Sequence, residues 1–193
     1  MTNVNMNEQG NLVKLLDLDK DFIIDLKYAT ENNFTGSKVY NSGECYMDRH
    51  TAEILIAAKD IFKKDGYRIK IWDAYRPISA QERFWELLPD DNFVGRPPDM
   101  SKITTFRPTH LNGLCVDITL TDMDGNEIEM PSEFDDFSDR ASLACESITP
   151  EARKNGEYMK AVMEQVGFLA YENEWWHFYD VTTEPTPFMN FQI

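Results

Sequence analysis

Three things are scarce in this sequence: cysteine, positive charge and long apolar runs. The three cysteines include no Cys-x-x-Cys pair, which argues against a disulfide framework and against a cysteine-rich metal site. Nineteen basic against thirty-four acidic residues give a formal net charge of −15. A field of that sign repels phosphate backbones and anionic lipids, so we expect no nucleic acid and no membrane partner.

The sequence also lacks the segments that direct a chain to or across a membrane. No stretch approaches the roughly eighteen apolar residues of a membrane span. The polar start has neither the basic nor the apolar region of a signal peptide. These absences predict a cytoplasmic protein, although a chain trimmed of its export signal would look the same. The oligomeric state is not indicated.

The length and periodicity of the chain predict one α+β domain. A chain of 193 residues with 42% hydrophobic residues suits a single domain over residues 1–193, with residues 1–11 as a loose leader. Helical and alternating patterns follow one another irregularly, with long connections, which favours a mainly antiparallel central sheet with flanking helices over a regular βαβ repeat.

The individual elements follow from periodicity and end signals. Strands are predicted near residues 22–26, 67–72, 114–120, 168–171 and 175–179, and helices near 52–66, 79–88 and 149–167. Ser79 and Glu82 have the spacing of a capping box, and Thr149-Pro150 suits a helix start. The polar stretch from residue 89 to 109 contains four prolines and is predicted to be a loop that covers part of the molecule.

Only three histidines occur in the chain, so their positions are informative. His110 and Asp117 are separated by a potential turn at Asn112-Gly113, and His177 lies among aromatic residues. Two imidazoles and one carboxylate suit Zn²⁺ with a fourth position left open for water. Spacing alone, however, favours ordinary hydrogen-bonded core residues, and the helical His-Glu-x-x-His motif is absent. His50, at a helix start, is predicted to be exposed.

Several segments favour the zinc site over ordinary core residues, because they all resemble segments of one family. Residues 110–117 (HLNGLCVD) resemble the S-x-H-x-x-G-x-A-x-D motif of the VanX-type D-alanyl-D-alanine dipeptidases. Residues 174–177 (EWWH) are similar to the E-x-W-H motif of that family, and residues 72–77 (WDAYRP) to its W-D-x-Y-R-P element. Residues 28–36 and 130–135 (MPSEFD) are similar to two further segments. The segments occur in the family's order and span most of the chain.

The resemblance implies a zinc peptidase with the hedgehog-like fold that this family shares with D,D-carboxypeptidases. One zinc ion per chain would be held by His110, Asp117 and His177. Glu174 would be the general base for attack by a zinc-activated water, and the short peptide substrate would contain D-alanine and belong to cell-wall (peptidoglycan) metabolism.

The resemblance also implies roles for four further residues. Arg76 would stabilise the transition state, and Tyr28 and Asp135 would bind the substrate's ammonium end. Asp73 would orient neighbouring side chains from behind the site.

Two departures from the motif narrow these expectations. Pro108 replaces the family's serine and offers neither a hydroxyl nor a backbone N–H. Cys115 replaces an alanine and is either a small apolar filler or a fourth, soft ligand. Two alternatives therefore remain: a zinc L,D- or D,D-carboxypeptidase that acts on peptidoglycan stem peptides, and a non-catalytic zinc-binding module of the same fold.

Overall fold

The computed structural model describes residues 8–91, 94–103 and 105–193. These residues form seven strands and four helices, whose bounds are as follows. The strands are β1 (Leu12–Lys14), β2 (Ile23–Ile24), β3 (Tyr46–Asp48), β4 (Arg68–Asp73), β5 (Cys115–Thr121), β6 (Phe168–Ala170) and β7 (His177–Asp180). The helices are α1 (Leu15–Leu18), α2 (Arg49–Lys64), α3 (Ile78–Leu87) and α4 (Pro150–Val166).

Five strands form the central sheet, in the order β2-β4-β5-β7-β6. The pairing of β2 with β4 is parallel and the other three pairings are antiparallel. Strands β1 and β3 form a separate antiparallel pair, and α2 packs against both β4 and α4. The predicted α+β class, with a mainly antiparallel sheet and flanking helices, is confirmed. None of the described helices is long and apolar enough to cross a membrane.

The middle of the sheet brings polar residues together. In the register of the strands, Asp117 on β5 lies opposite Asp73 on β4 and opposite His177 on β7. The β4–β5 register shifts between Ile71 and Asp73, and such irregularities often re-aim a side chain beside a functional site. All seven residues of β5 are buried, so its predicted alternating faces are both covered by protein.

The ends of two helices show where local sequence signals were sufficient to predict a boundary and where they were not. Helix α4 begins as predicted, because Thr149 accepts a hydrogen bond from the Ala152 N–H and Pro150 occupies the first turn; it ends at Gly167 with φ of 113°. The predicted Ser79–Glu82 capping box is wrong. Helix α3 begins at Ile78, and the N–H groups of Ile78 and Ser79 donate to the Met189 carbonyl and the Asn190 side chain. A distant segment therefore caps this helix.

Three other boundaries differ from expectation. The predicted strand over residues 22–26 contains only Ile23–Ile24, and the last strand begins at His177 because residues 175–176 lie in the preceding turn. Residues 1–7 of the expected leader lie outside the described residues. Asn11 is fixed to the start of α2, because its side chain donates to Asp48 at 2.8 Å and its carbonyl accepts from the Arg49 N–H.

Gly113 joins the His110 turn to β5 at a point where a side chain does not fit. Its φ is +72°, and a Cβ there would lie 2.6 Å from Leu12 Cδ2 and 2.7 Å from the Asp48 backbone nitrogen. The close approach allows the Asp48 N–H to donate to the Gly113 carbonyl. This glycine therefore holds β3 against the turn that carries His110.

We expect Gly113→Ala to lower the free energy of unfolding by about 3 kcal/mol, from left-handed strain together with the clash. Gly36→Ala is the matched control, because Gly36 has φ of +62° but open space around its Cβ position. Its cost should be only about 1 kcal/mol, the strain alone. Urea denaturation of both variants measures the difference, and equal costs would show that the close packing at Gly113 is unimportant.

Candidate active site

His110, Asp117 and His177 converge near the start of β5. His177 Nδ1 lies 2.9 Å from Asp117 Oδ1, and His110 Nε2 lies 3.2 Å from His177 Nδ1 and 3.4 Å from Asp117 Oδ2. His110 belongs to a 3₁₀ turn (His110–Asn112) that begins with a capping box between Thr109 and Asn112. The turn expected at residues 112–113 thus brings His110 to the strand that carries Asp117.

The three side chains fit a zinc ion. The His110 Nδ1–H donates to the Ala74 carbonyl at 2.6 Å, which leaves the Nε2 lone pair directed at the cluster. Ligand atoms about 2.1 Å from a tetrahedral zinc lie roughly 3.4 Å apart, close to the separations observed. Burial opposes ionisation of Asp117, but His110 and His177 outweigh it and hold the pKa of Asp117 well below its usual value. Two imidazoles and a carboxylate also match the donor preference of zinc.

Glu174 lies beside this cluster in the turn before β7. Its Oε2 is 3.9 Å from His177 Nδ1, and 27% of its side chain is exposed. Burial is the main reason that its pKa rises to about 7; Asp117 also raises it, and His177 opposes the rise. A carboxylate whose pKa lies near neutrality, next to a metal-binding cluster, can both accept and return a proton.

Arg76 is held from several sides. Its Nε and Nη2 donate to Asp73 Oδ2 at 3.0 and 2.7 Å, and its Nη1 donates to Gln81 Oε1 at 2.8 Å. The guanidinium lies over the rings of Phe84 and Tyr28, at 4.9 and 5.5 Å from their centroids. A guanidinium has five N–H donors, so two of them remain available for an oxygen in the cavity.

Asp73, fully buried, supports the site from behind. Besides Arg76 it accepts a hydrogen bond from the Tyr40 hydroxyl at 2.7 Å, and its Oδ2 lies 3.8 Å from His110 Nδ1. Tyr40 and Gln81 are the partners that sequence reasoning missed. Neither stands in a motif segment that carried the resemblance; only their spatial neighbours identify them.

Tyr28 and Asp135 meet across 107 residues of sequence. The Tyr28 hydroxyl donates to the Asp135 carboxylate, 3.1 Å from each oxygen. Burial and the nearby Asp117 raise the pKa of Asp135 to about 7. Asp135 has φ of 57°, a conformation that costs energy outside glycine and often marks a functional position.

All of these groups except Asp73 and Tyr40 line one cavity of about 480 Å³. Its wall also includes Arg107 and Pro108 from the proline-rich loop, Cys115 of β5, Tyr179 of β7, and Tyr171 and Trp176 from the segment between β6 and β7. A second cavity of about 710 Å³ adjoins it and shares Glu174 and Trp176. The His–Asp–His cluster and Glu174 therefore border space that a ligand can occupy.

The remaining sequence expectations can be placed as well. Trp176 lines the cavity, whereas Trp175 packs on Trp72 with ring centroids 5.6 Å apart. His50 is exposed at the start of α2 and lies outside the cavity lining. Cys115 is buried and is not among the residues whose ligand atoms converge, which are His110, Asp117 and His177 in the described part of the chain; this favours the apolar-filler interpretation over a fourth ligand.

Comparison with known proteins identifies the family. The peptidase M15 family, described as D-ala-D-ala dipeptidase, matches residues 8–193. This chain belongs to that family. The D-alanyl-D-alanine dipeptidase of Escherichia coli K12 is 32% identical over 90% of this chain and 86% of its own length. The Enterococcus faecium enzyme of the same name is 34% identical over 84% of this chain and 87% of its own length.

Solved structures resemble this member of the M15 family more distantly. The LD-carboxypeptidase LdcB covers 93% of this chain and 70% of its own, with 18% identity and a TM-score of 0.48. Such a likeness adds no argument about the site. Family membership confirms the resemblance seen in the sequence and, with the donor set, indicates zinc as the metal.

Proposed function

We propose that this protein is a zinc-dependent dipeptidase that hydrolyses D-alanyl-D-alanine or a similar short dipeptide containing a D-amino acid. The observation that most strongly supports this proposal is that His110, Asp117 and His177 converge beside Glu174 in one cavity. Relatives named D-alanyl-D-alanine dipeptidase, at 32 and 34% identity over most of the chain, support this substrate class.

The residues divide the work of hydrolysis among them. Zinc bound by the cluster would supply polarisation of the scissile carbonyl and a lowered pKa for water. Glu174 accepts the proton of the attacking water and returns it to the leaving amine, for which its near-neutral pKa is suited. The free N–H groups of Arg76 stabilise the negative charge that develops on the carbonyl oxygen.

The Tyr28–Asp135 pair provides the anionic end of the site. The substrate's ammonium would find the Asp135 carboxylate already oriented by the Tyr28 hydroxyl. A cation beside Asp135 relieves the cost of its burial, so binding draws the carboxyl toward its ionised form. Binding of the ammonium end and ionisation of Asp135 therefore strengthen one another.

A cleavage assay on the zinc-loaded protein tests the proposal. All four stereoisomers of Ala-Ala are compared by the release of free alanine, and we expect D-Ala-D-Ala to be cleaved with the highest kcat/KM. Zinc binding without cleavage of any dipeptide or stem peptide would contradict the proposal and favour the non-catalytic zinc-binding module.

A second candidate is a zinc L,D- or D,D-carboxypeptidase that acts on peptidoglycan stem peptides. The adjoining cavity of about 710 Å³ favours it, since it offers room beyond a dipeptide next to Glu174. The replacement of the family's serine by Pro108 also favours it, because a hydrogen bond from that serine to the family's usual substrate is lost. Tetra- and pentapeptide stems in the same assay separate the two candidates, because a dipeptidase leaves them intact.

We also expect one zinc ion per chain, lost when a ligand is removed. His177→Ala should weaken zinc binding by at least about 100-fold, because even the outer partners of metal ligands contribute 10- to 100-fold. His50→Ala is the matched control, since His50 is exposed and does not line the cavity that contains the cluster. Metal analysis after dialysis gives the stoichiometry. A His177→Ala variant that retained one equivalent of zinc would show that the ligand set is wrong.

A further inference from the structure

The cavity of about 480 Å³ beside the His–Asp–His cluster is lined by three arginines, and two of them are paired with other described residues. Arg76 donates to Asp73 and Gln81. Arg96 pairs with Asp91 at 2.6 Å and lies over the Trp85 ring. Arg107 lines the same cavity, is exposed, and forms no ion pair with any residue in the described part of the chain.

The cavity wall also carries four carboxylates. Asp91, Asp117, Asp135 and Glu174 lie along its wall, in a chain with a formal net charge of −15. A free dipeptide carries an ammonium at one end and a carboxylate at the other. The acidic wall suits the ammonium and repels the carboxylate, so the carboxylate needs a cation of its own.

Arg107 and Asp135 both line the cavity that contains His110, Asp117 and His177. Arg107 lies three residues before the turn at His110–Asn112, whereas Asp135 lies in the turn at residues 134–135. The cavity beside the cluster therefore offers a carboxylate, Asp135, for the ammonium of a dipeptide and a cation, Arg107, for its carboxylate.

The residues next to Arg107 leave that end short of other donors. Pro108 has neither a hydroxyl nor an N–H. The Thr109 N–H donates to Asn112 Oδ1 at 3.0 Å, and the Thr109 hydroxyl oxygen accepts from the Leu111 N–H. The guanidinium of Arg107 is the group beside them that can donate two parallel hydrogen bonds to a carboxylate.

We propose that Arg107 binds the C-terminal carboxylate of the dipeptide and so restricts hydrolysis to peptides with a free C-terminus. This inference rests on the dipeptidase function proposed above. Arg107 acts as a specificity-determining residue, and Arg76 remains the group that stabilises charge at the reacting carbonyl.

The experiment compares D-Ala-D-Ala with its C-terminal amide on the zinc-loaded protein. Wild type should prefer the free acid. Arg107→Ala should reduce the ratio of kcat/KM for acid over amide by about 10- to 100-fold, mainly through KM for the acid, because a charge-assisted hydrogen bond is lost. Activity on the amide should change little, which also shows that the variant is folded. Arg107→Lys should restore part of the ratio, since it keeps the charge without the fork.

Arg83→Ala is the matched control, because Arg83 is an exposed arginine of α3 that pairs with Glu86 outside the cavity. It should leave the ratio at the wild-type value. If wild type cleaves D-Ala-D-Ala and Arg107→Ala keeps the wild-type ratio, the role of Arg107 is refuted and the dipeptidase function stands. If wild type cleaves neither compound, both are refuted together.

Discussion

Glu174→Gln is expected to lower kcat by about 10²- to 10⁴-fold while zinc stays bound. The amide keeps the size of the side chain but cannot accept a proton from water or return it to the leaving amine. Glu174 lies 3.9 Å from His177 Nδ1 and is not one of the three residues of the metal-binding cluster. The loss should therefore appear in kcat, with zinc content unchanged.

The matched control is Glu172→Gln, the same substitution two residues away on an exposed side chain. It should retain wild-type kcat. Steady-state kinetics and metal analysis of both variants test whether Glu174 is the general base. A Glu174→Gln variant that turned over as fast as wild type would mean that another group accepts the proton.

The same substitution should stabilise the zinc-free protein at pH 8. The pKa of Glu174 is about 7 in the folded state against an ordinary value of 4.5. The unfolded chain therefore loses its proton at lower pH, and stability falls as pH rises between these values. Glutamine has no such penalty, so its gain should be near zero at pH 4 and about 2 kcal/mol at pH 8, after allowance for partial exposure. Denaturation at the two pH values measures it; a loss of stability at pH 8 would indicate a structural role.

Arg76→Ala is expected to lower kcat/KM by about 10²- to 10³-fold and to destabilise the fold. Loss of one donor to a developing negative charge accounts for the kinetic effect. The structural effect arises because Asp73, which is fully buried, loses the guanidinium that neutralises it. Removal of one partner of a buried ion pair typically costs about 3–5 kcal/mol.

Arg76→Lys separates the two effects. Lysine keeps a positive charge near Asp73, so much of the stability should return. It cannot contact Asp73, Gln81 and the substrate oxygen together, so kcat should stay at least about 10-fold low. Thermal denaturation and kinetics on the same samples measure both. Wild-type kcat in Arg76→Lys would exclude a role for the guanidinium in the reaction.

Local signals in the sequence were enough for the elements whose ends depend on neighbouring residues. Thr149-Pro150 and Gly167 delimit α4 as predicted, because capping satisfies backbone groups within one turn. The start of α3 escaped prediction, because Met189 and Asn190 satisfy its first amides from more than a hundred residues away. No local pattern contains that information.

The candidate site divides in the same way. The motif around His110, Gly113 and Asp117 predicts a turn followed by a strand, and the structure has both. Two hydrogen bonds of the site could not be predicted, namely those of Tyr40 with Asp73 and of Gln81 with Arg76. Each joins side chains from separate elements. The sequence likewise could not show that Arg107 forms no ion pair with the described residues, because ion pairing depends on which carboxylates lie near it in space.

The sequence by itself determined the family, the α+β class and the identity of the groups that can bind metal and move protons. These depend on residue type and on order along the chain. Only the tertiary structure decided how those groups are arranged relative to one another. It sets the register that places Asp117 opposite His177, the burial that raises the pKa of Glu174, and the cavity that Asp135 and Arg107 line together. The physical reason is that distances, desolvation and charge pairing arise between segments remote in sequence, and they exist only once the chain has folded.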